Sequence, residues 1–359
     1  MAPAVTAVRS LALILAASLL ALAGCGSSGS SSAAKRSSSA LVAIGAGLDG
    51  PSGLHASVYA HGPATTATFA FDPQGRLWLS AAGLETHTND GVYLISKPGA
   101  PGLKVISGLD DPLGLAWYRG RLYVASVGRV DAFGGFDGTR FTTRTEVLRG
   151  PVAGGENNNL VLAPSGRFLM GVTATCDHCT PTSRYSGAIV SFLPSGSGLD
   201  VYAGRIRAPV GLTFVPGTSE LFTTMNQRDD LGVRTPGDWL ALVREGQSWG
   251  FPDCYGQGGA VCDGVPQPVA VLDPHAAVGG VAIVSGALSP GSATSAIVAE
   301  WQTGKLQRIA LTRSAGGYAG TVAPFVTGIK KPLAVILASD HSLLLGDWET
   351  GTIYRVASG

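Results

Sequence analysis

"ASVYAHGPATTATFAFDPQGRLWLS", Ala56 to Ser80, contains the unit from which most of the chain is built. A short β-rich run meets a turn carrying Gly62 and Pro63, a small residue then opens an apolar strand, and "FDPQGRLWLS" reads as a hairpin around Pro73 and Gly75. The same grammar returns in "KVISGLDDPLGLAWYRGRLYVAS", "EVLRGPVAGGENNNLVLAPSGRFLMGV", "DVYAGRIRAPVGLTFVPGTSELFTT", "PVAVLDPHAAVGGVAIV" and "PFVTGIKKPLAVILASDHSLLLGDW". Units follow one another at roughly 45 to 70 residues, the range of a four-stranded propeller blade. Between them, "GVYLIS" (Gly91 to Ser96) and "GAIVSFL" (Gly187 to Leu193) alternate as third strands should, and no convincing amphipathic helix is found. The expected fold is all-β, a six-bladed β-propeller of four-stranded blades over residues 41–359. Pairing of a strand near "ASVYA" with "GTIYRVA" of the last blade would close the ring and remove its exposed edges. Two stacked β-sandwiches are the rival, disfavoured because the repeat is continuous.

Composition agrees with many short strands joined by turns: 51 Gly and 21 Pro are spread along the chain. A net charge of +1 with 14% charged residues leaves no basic footprint for nucleic acid. The N-terminus is read apart from the fold. Arg9 precedes the apolar run "LALILAASLLALAG", which ends in "LAGC", Leu22 to Cys25. This pattern predicts a bacterial lipoprotein signal over residues 1–24, acylation at Cys25 and a flexible Ser/Gly linker over 25–40. The expected location is extracytoplasmic, with membrane contact through the lipid anchor alone; an ordinary secretory signal with an incidental cysteine is the alternative.

In a propeller, the turns that lead from the outermost strand of one blade to the innermost strand of the next share one face. Here those turns carry His61, Asp110 with Asp111, Gly155 to Asn159, Arg205 with Arg207, His275, and Lys330 with Lys331. As a ring around one axis they make a candidate ligand site. Solvation of its own loop is the competing explanation for each charge.

Several stretches then resemble one family. "APVGLTFVPGTSELFTT", "MNQRDDLG", "PGDWLALVREGQSWGFPDCYG" and "DPHAAVGGVAI" are similar to glucose/sorbosone dehydrogenases. The resemblance implies a six-bladed propeller using pyrroloquinoline quinone (PQQ) and calcium, a sugar-like small-molecule substrate, and an electron acceptor that the sequence does not identify. "GRIRAPVGL" resembles the family's "G-x-R-N-P-x-G-L" turn, which places Arg207 at the cofactor-contacting arginine and Ala208 where Asn is usual. By position the calcium loop falls on Asn226, Gln227 and Arg228, with Asp229 and Asp230 just beyond. The family's third blade opens "H-x-x-G-x-L-x-x-x-P-x-G" with the histidine as base, and counting back from Leu160 puts Gly155 at that histidine. Glycine accepts no proton, so Glu156 becomes the substitute base, with His61 and His275 as further candidates. Asn157, Asn158 and Asn159 offer uncharged donors and acceptors, suited to a quinone or sugar at Asn157 and Asn159, or to turn backbone. Lys331 joins His61 as a candidate cofactor contact on the same face.

Beyond Cys25 four cysteines remain: Cys176 and Cys179 in "TCDHCT", and Cys254 and Cys262 in "DCYGQGGAVCDG". Outside the cytoplasm two local disulfides are expected, against a zinc site using all four thiolates. "CDHC" is followed by Thr180, which gives no support to a c-type haem, and no βαβ context suggests thioredoxin-like chemistry. "IGAGLDG" has the G-x-G-x-x-G spacing, but "PSGL" follows where a phosphate-binding helix would begin.

Three functions follow. The first is a lipid-anchored PQQ-dependent sugar or aldose dehydrogenase with Glu156 or His275 replacing the missing base. The second is a propeller that kept the scaffold, lost the redox step and binds a carbohydrate or a protein; restoration of activity by Gly155→His would mark the base as the only loss. The third is a gluconolactonase-like hydrolase, which requires a metal held by carboxylates near the axis.

Overall fold

The computed structural model describes residues 40–150 and 155–359; the expected signal segment, Cys25, nearly all of the expected linker and residues 151–154 lie outside them. Six antiparallel sheets succeed one another along the chain. Blade I comprises Thr66–Phe71, Leu77–Ala81, Gly91–Ile95 and Leu103–Ile106. Blade II comprises Gly114–Tyr118, Arg121–Ser126, Arg129–Phe136 and Phe141–Arg149. Blade III is Asn157–Leu162, Phe168–Val172, Ala188–Phe192 and Asp200–Gly204. Blade IV is Pro209–Phe214, Leu221–Met225, Gly237–Val243 and Ala270–Pro274. Blade V runs Val278–Val284, Ser295–Glu300, Lys305–Ser314 and Gly317–Thr327. Blade VI is Pro332–Leu337, Leu343–Asp347 and Thr352–Ser358, completed by the N-terminal strand Leu54–His61.

Closure is the one the repeat predicts: Tyr354 pairs with Val58 and Val356 with Ala56. Blade V departs from the four-stranded plan. A short hairpin, Val42–Gly45 and Leu48–Gly50, extends its outer edge through the pair Asp49 and Thr327. Among the described residues the only helical turns are four three-residue 3₁₀ segments, and no helix is long and apolar enough to cross a membrane.

The core lies between blades, because the second and third strands of blades I, III and IV are buried on both faces. Blades I and II meet over Trp78, which is fully buried and packs edge-on against Trp117 and Phe136 at centroid distances of 5.1 and 4.9 Å. Its indole N–H would be costly to bury alone, and it donates to Asp72 Oδ2 at 2.8 Å. Tyr123, Phe168 and Phe192 fill the next gap in the same way.

The axis is narrow. A Cβ on Gly114 would lie 2.5 Å from the Asn158 carbonyl oxygen, and one on Gly211 would lie 2.6 Å from that of Gly279, so only glycine lets these inner strands approach. Five of the six inner strands open with an irregularity in register, as between Asn157 and Leu160 and between Pro209 and Leu212. Such bulges turn the first residues of the strand out of the pleat and toward the face that carries the inter-blade turns.

Candidate functional site

On that face, blades III to V enclose a cleft of about 580 Å³ lined by Glu156, Arg207, Asn226, Gln227, Asp229 and His275, with Asp238 beneath. The volume is that of a small-molecule site. Glu156 enters from the turn into blade III and is largely enclosed. Burial pushes its carboxyl up, and the Thr173 hydroxyl, 3.4 Å from Oε2, and the Arg207 charge only partly oppose this. Across from it, Arg207 is fixed from two sides. Nη1 donates to the Asn226 carbonyl at 3.1 Å, Nε donates to the Asp177 carbonyl at 3.1 Å, and Nη2 donates to the Asp177 carboxylate.

Asp177 ties Arg207 to the loop that carries Asp229 and Asp230. Its carboxylate also accepts the backbone N–H groups of Asp229, at 3.0 and 3.1 Å, and Asp230, at 2.9 Å. A guanidinium and two successive amides thus make an anion nest with Asp177 seated in it. Asp177 arrives on the short loop that the Cys176–Cys179 disulfide closes, and Cys254–Cys262 forms the second local disulfide. The expectation of two local disulfides stands, and a zinc site built on four thiolates is corrected.

His275 stands on a left-handed residue, φ +53°, at the turn into blade V. Its Nδ1 lies 2.7 Å from Asp229 Oδ1 and its Nε2 lies 2.9 Å from the Gly232 carbonyl oxygen. Both partners present acceptor oxygens, which favours the protonated ring. The Gly232 carbonyl, followed by Asp229, raises its pKa accordingly. His275 therefore clamps two loops through both ring nitrogens.

The remaining expected site residues divide. Asn157 and Asn158 are buried structural groups: Asn157 Nδ2 donates to the Ser126 carbonyl at 2.7 Å, and Asn158 Nδ2 to Thr173 Oγ1 at 2.7 Å. Asn159 borders the axial channel beside Thr68 and Gly211, below the cleft. His61 is exposed at the end of the closing strand, opposite Thr352, and does not line the cleft. Lys331 reaches the cleft only through Gln302, to whose Oε1 it donates at 2.9 Å, while its ammonium lies 4.1 Å from the Trp301 ring centroid. Arg228 is turned away, paired with Asp230 at 2.5 Å and lying over Tyr255.

Gly155 has a steric cause. A Cβ there would fall 2.0 Å from the Thr173 carbonyl oxygen. A histidine cannot be placed at this position without moving backbone, so Gly155→His is not a simple test of whether only the base has been lost.

Calcium is a hard cation that takes six to eight oxygen ligands. The loop Asn226 to Asp230 offers it little as it stands. The Asn226 carbonyl accepts from a guanidinium, the Gln227 amide donates to Asp238 at 2.8 Å, and the Asp229 and Asp230 amides face a carboxylate. These amides and Arg207 are thus engaged by carboxylates of the chain itself. A quinone could meet Arg207 only if Asp177 gave way, so the residues do not fit PQQ in this arrangement. The axial channel is bordered by Thr68, Asn158 and Asn159 among apolar residues.

No family model matches the chain, and no curated protein sequence does so. Solved structures match over most of its length. The PQQ-bound aldose sugar dehydrogenase of Streptomyces coelicolor is 19% identical with a TM-score of 0.68, covering 86% of this chain and 100% of its own. The PQQ domain of the pyranose dehydrogenase of Coprinopsis cinerea, in its holo form, is 15% identical with a TM-score of 0.69, covering 86% and 96%. A calcium structure of a carbohydrate-active enzyme of family AA12 from Trichoderma reesei is 15% identical with a TM-score of 0.68, covering 87% and 97%. The chain thus has the six-bladed propeller fold shared by solved PQQ-dependent sugar dehydrogenases.

Proposed function

We propose that this chain is an extracytoplasmic, glucose/sorbosone dehydrogenase-like propeller that binds a sugar-like small molecule in the cleft between blades III and V. The observation that carries this reading is the opposition of Glu156 and Arg207 across a polar cleft of sugar size. A hydroxyl placed between them meets a carboxyl that can donate or accept, and fixed donors and acceptors from Gln302 and Gln227 surround it. Dehydrogenase neighbours at low identity support the substrate class. The quinone and calcium of those neighbours would need Asp177 to leave its nest, and the reading proposed for this cleft is therefore binding without a redox step. Burial raises the Glu156 carboxyl and so favours its protonated form, which can donate to a bound hydroxyl.

The compartment is part of the proposal. "LAGC" at Leu22 to Cys25 and two disulfides both favour an oxidising location reached by export. Calorimetric titration of the protein and of Glu156→Gln with a panel of aldoses and aldonolactones tests the site. Binding of at least one sugar, weakened about tenfold or more by Glu156→Gln, is expected. No binding by the wild-type protein across the panel would contradict the reading.

A further inference from the structure

Away from the cleft, two loops of blades I and II bring three carboxylates and an imidazole together. His87 and Asp90 come from the turn between the second and third strands of blade I, and Asp110 and Asp111 from the passage to blade II. His87 Nδ1 lies 3.3 Å from Asp110 Oδ1, 3.5 Å from Asp90 Oδ2 and 3.8 Å from Asp111 Oδ2. Ligand atoms about 2.1 Å from a four-coordinate ion stand roughly 3.4 Å from one another; His87 meets that spacing with Asp110 and Asp90, the ligand atoms of these three residues all lie within 4.8 Å of one another, and Asp111 stands slightly farther from the imidazole.

The cluster is not explained by its own hydrogen bonds. Asp90 is satisfied by the Gly83 amide at 2.7 Å and the Asp111 amide at 2.9 Å, which fixes both loops. Asp111, in contrast, is 7% exposed and its Oδ1 is fully enclosed with no hydrogen-bond partner. An enclosed carboxylate oxygen without a partner is expensive unless something outside the chain meets it. Among the described residues no lysine or arginine pairs with Asp90, Asp110 or Asp111; His87 alone opposes three acids. Both His87 and Asp111 also stand in left-handed backbone, φ +49° and +42°, a cost retained where a site over-determines its geometry.

We propose that His87, Asp90, Asp110 and Asp111 form a divalent-cation site that ties blade I to blade II. One imidazole nitrogen with three carboxylates favours a borderline ion, zinc or manganese, over calcium, which prefers oxygen alone. None of the four lines the cleft or the axial channel, so the ion is a structural clamp independent of the ligand site.

The purified full-length protein, stripped with a chelator, is titrated calorimetrically with zinc, manganese and calcium, and its thermal transition is followed in parallel. One equivalent of zinc or manganese at micromolar affinity or better is expected, with a rise in melting temperature and calcium at least tenfold weaker. Asp110→Asn is the informative variant, because its exposed side chain makes no contact but that with His87 and the fold does not depend on it. It should weaken zinc at least tenfold while leaving the metal-free melting temperature unchanged, and His87→Gln should do the same. Asp229→Asn, in the cleft, should leave zinc affinity unchanged. Absence of binding to the wild-type chain, binding unaffected by both cluster variants, loss of binding in Asp229→Asn, or calcium binding as tight as zinc would each overturn the site as assigned.

Discussion

Arg207 and Asp177, thirty residues apart in sequence, are joined by a hydrogen bond between Nη2 and the carboxylate and by a second from Nε to the Asp177 carbonyl. The arginine that resemblance marks as the cofactor contact is thus occupied by an anion from the chain itself. That anion is delivered by a loop closed by a disulfide. Replacing Asp177 should therefore open the nest. Asp177→Ala is expected to cost about 2 kcal/mol in urea denaturation, because Arg207 and two amides lose a charged partner. It should at the same time create affinity for a small dicarboxylate such as oxalate, absent from the wild-type protein, by calorimetry.

Gly155 gives a second expectation. With the Thr173 carbonyl oxygen 2.0 Å from where a Cβ would stand, Gly155→Ala should destabilise by about 3 kcal/mol in urea unfolding. Gly155→His should be at least as unstable and gain no sugar oxidation in a dye-reduction assay. Wild-type stability in Gly155→Ala would show that the turn is looser than its contacts imply.

Asp238 sets a pH dependence. Burial, with some help from the Asp229 charge, pushes its carboxyl from 3.8 up to about 6, despite the Gln227 and Val278 amides. Because the folded-state value is the higher one, its contribution is fully present below about pH 4 and is lost as pH rises through about 6. The difference amounts to about 3 kcal/mol. Asp238→Asn should flatten the melting temperature between about pH 4 and 7, measured as a series of thermal scans. An unchanged slope would assign that dependence elsewhere.

The His275 clamp runs over a neighbouring range. Its pKa is raised, so its stabilising contacts are complete below the ordinary histidine value and fade as pH climbs through the folded one. His275→Gln should remove the part of the pH dependence above about 6.5. Its effect on sugar binding at about pH 6 should be smaller than that of Glu156→Gln.

The fold is readable in the sequence because it rests on local chemistry repeated six times. Hairpins such as "FDPQGRLWLS" and "LAPSGRFLMGV" set strand, turn and register within ten or so residues. The partner of the closing strand is also legible, since a ring leaves Leu54–His61 and Thr352–Ser358 as its free edges. The site is legible only in outline. Glu156, Arg207 and His275 lie in equivalent turns, which the repeat locates. Asp177 is hidden within "CDHC", where the cysteines are the conspicuous chemistry and the acid between them is not. Asn157 looks like ligand chemistry, but its amide caps a carbonyl in the neighbouring blade, a contact that no spacing along one strand reveals. The cluster around Asp111 joins loops about twenty residues apart and carries no motif. His275 resembles a base in sequence because its two acceptors, Asp229 and Gly232, come from a loop more than forty residues earlier.

In this cleft a carboxylate of the chain itself, Asp177, stands beside Arg207. The decisive measurement is calorimetric titration of the purified protein with PQQ, in the presence and absence of calcium. With Asp177 in its nest, no calcium-dependent binding of PQQ to the wild-type protein is expected, and Asp177→Ala should bind measurably. Tight PQQ binding to the wild-type chain that requires calcium and is lost in Arg207→Ala would contradict this assignment.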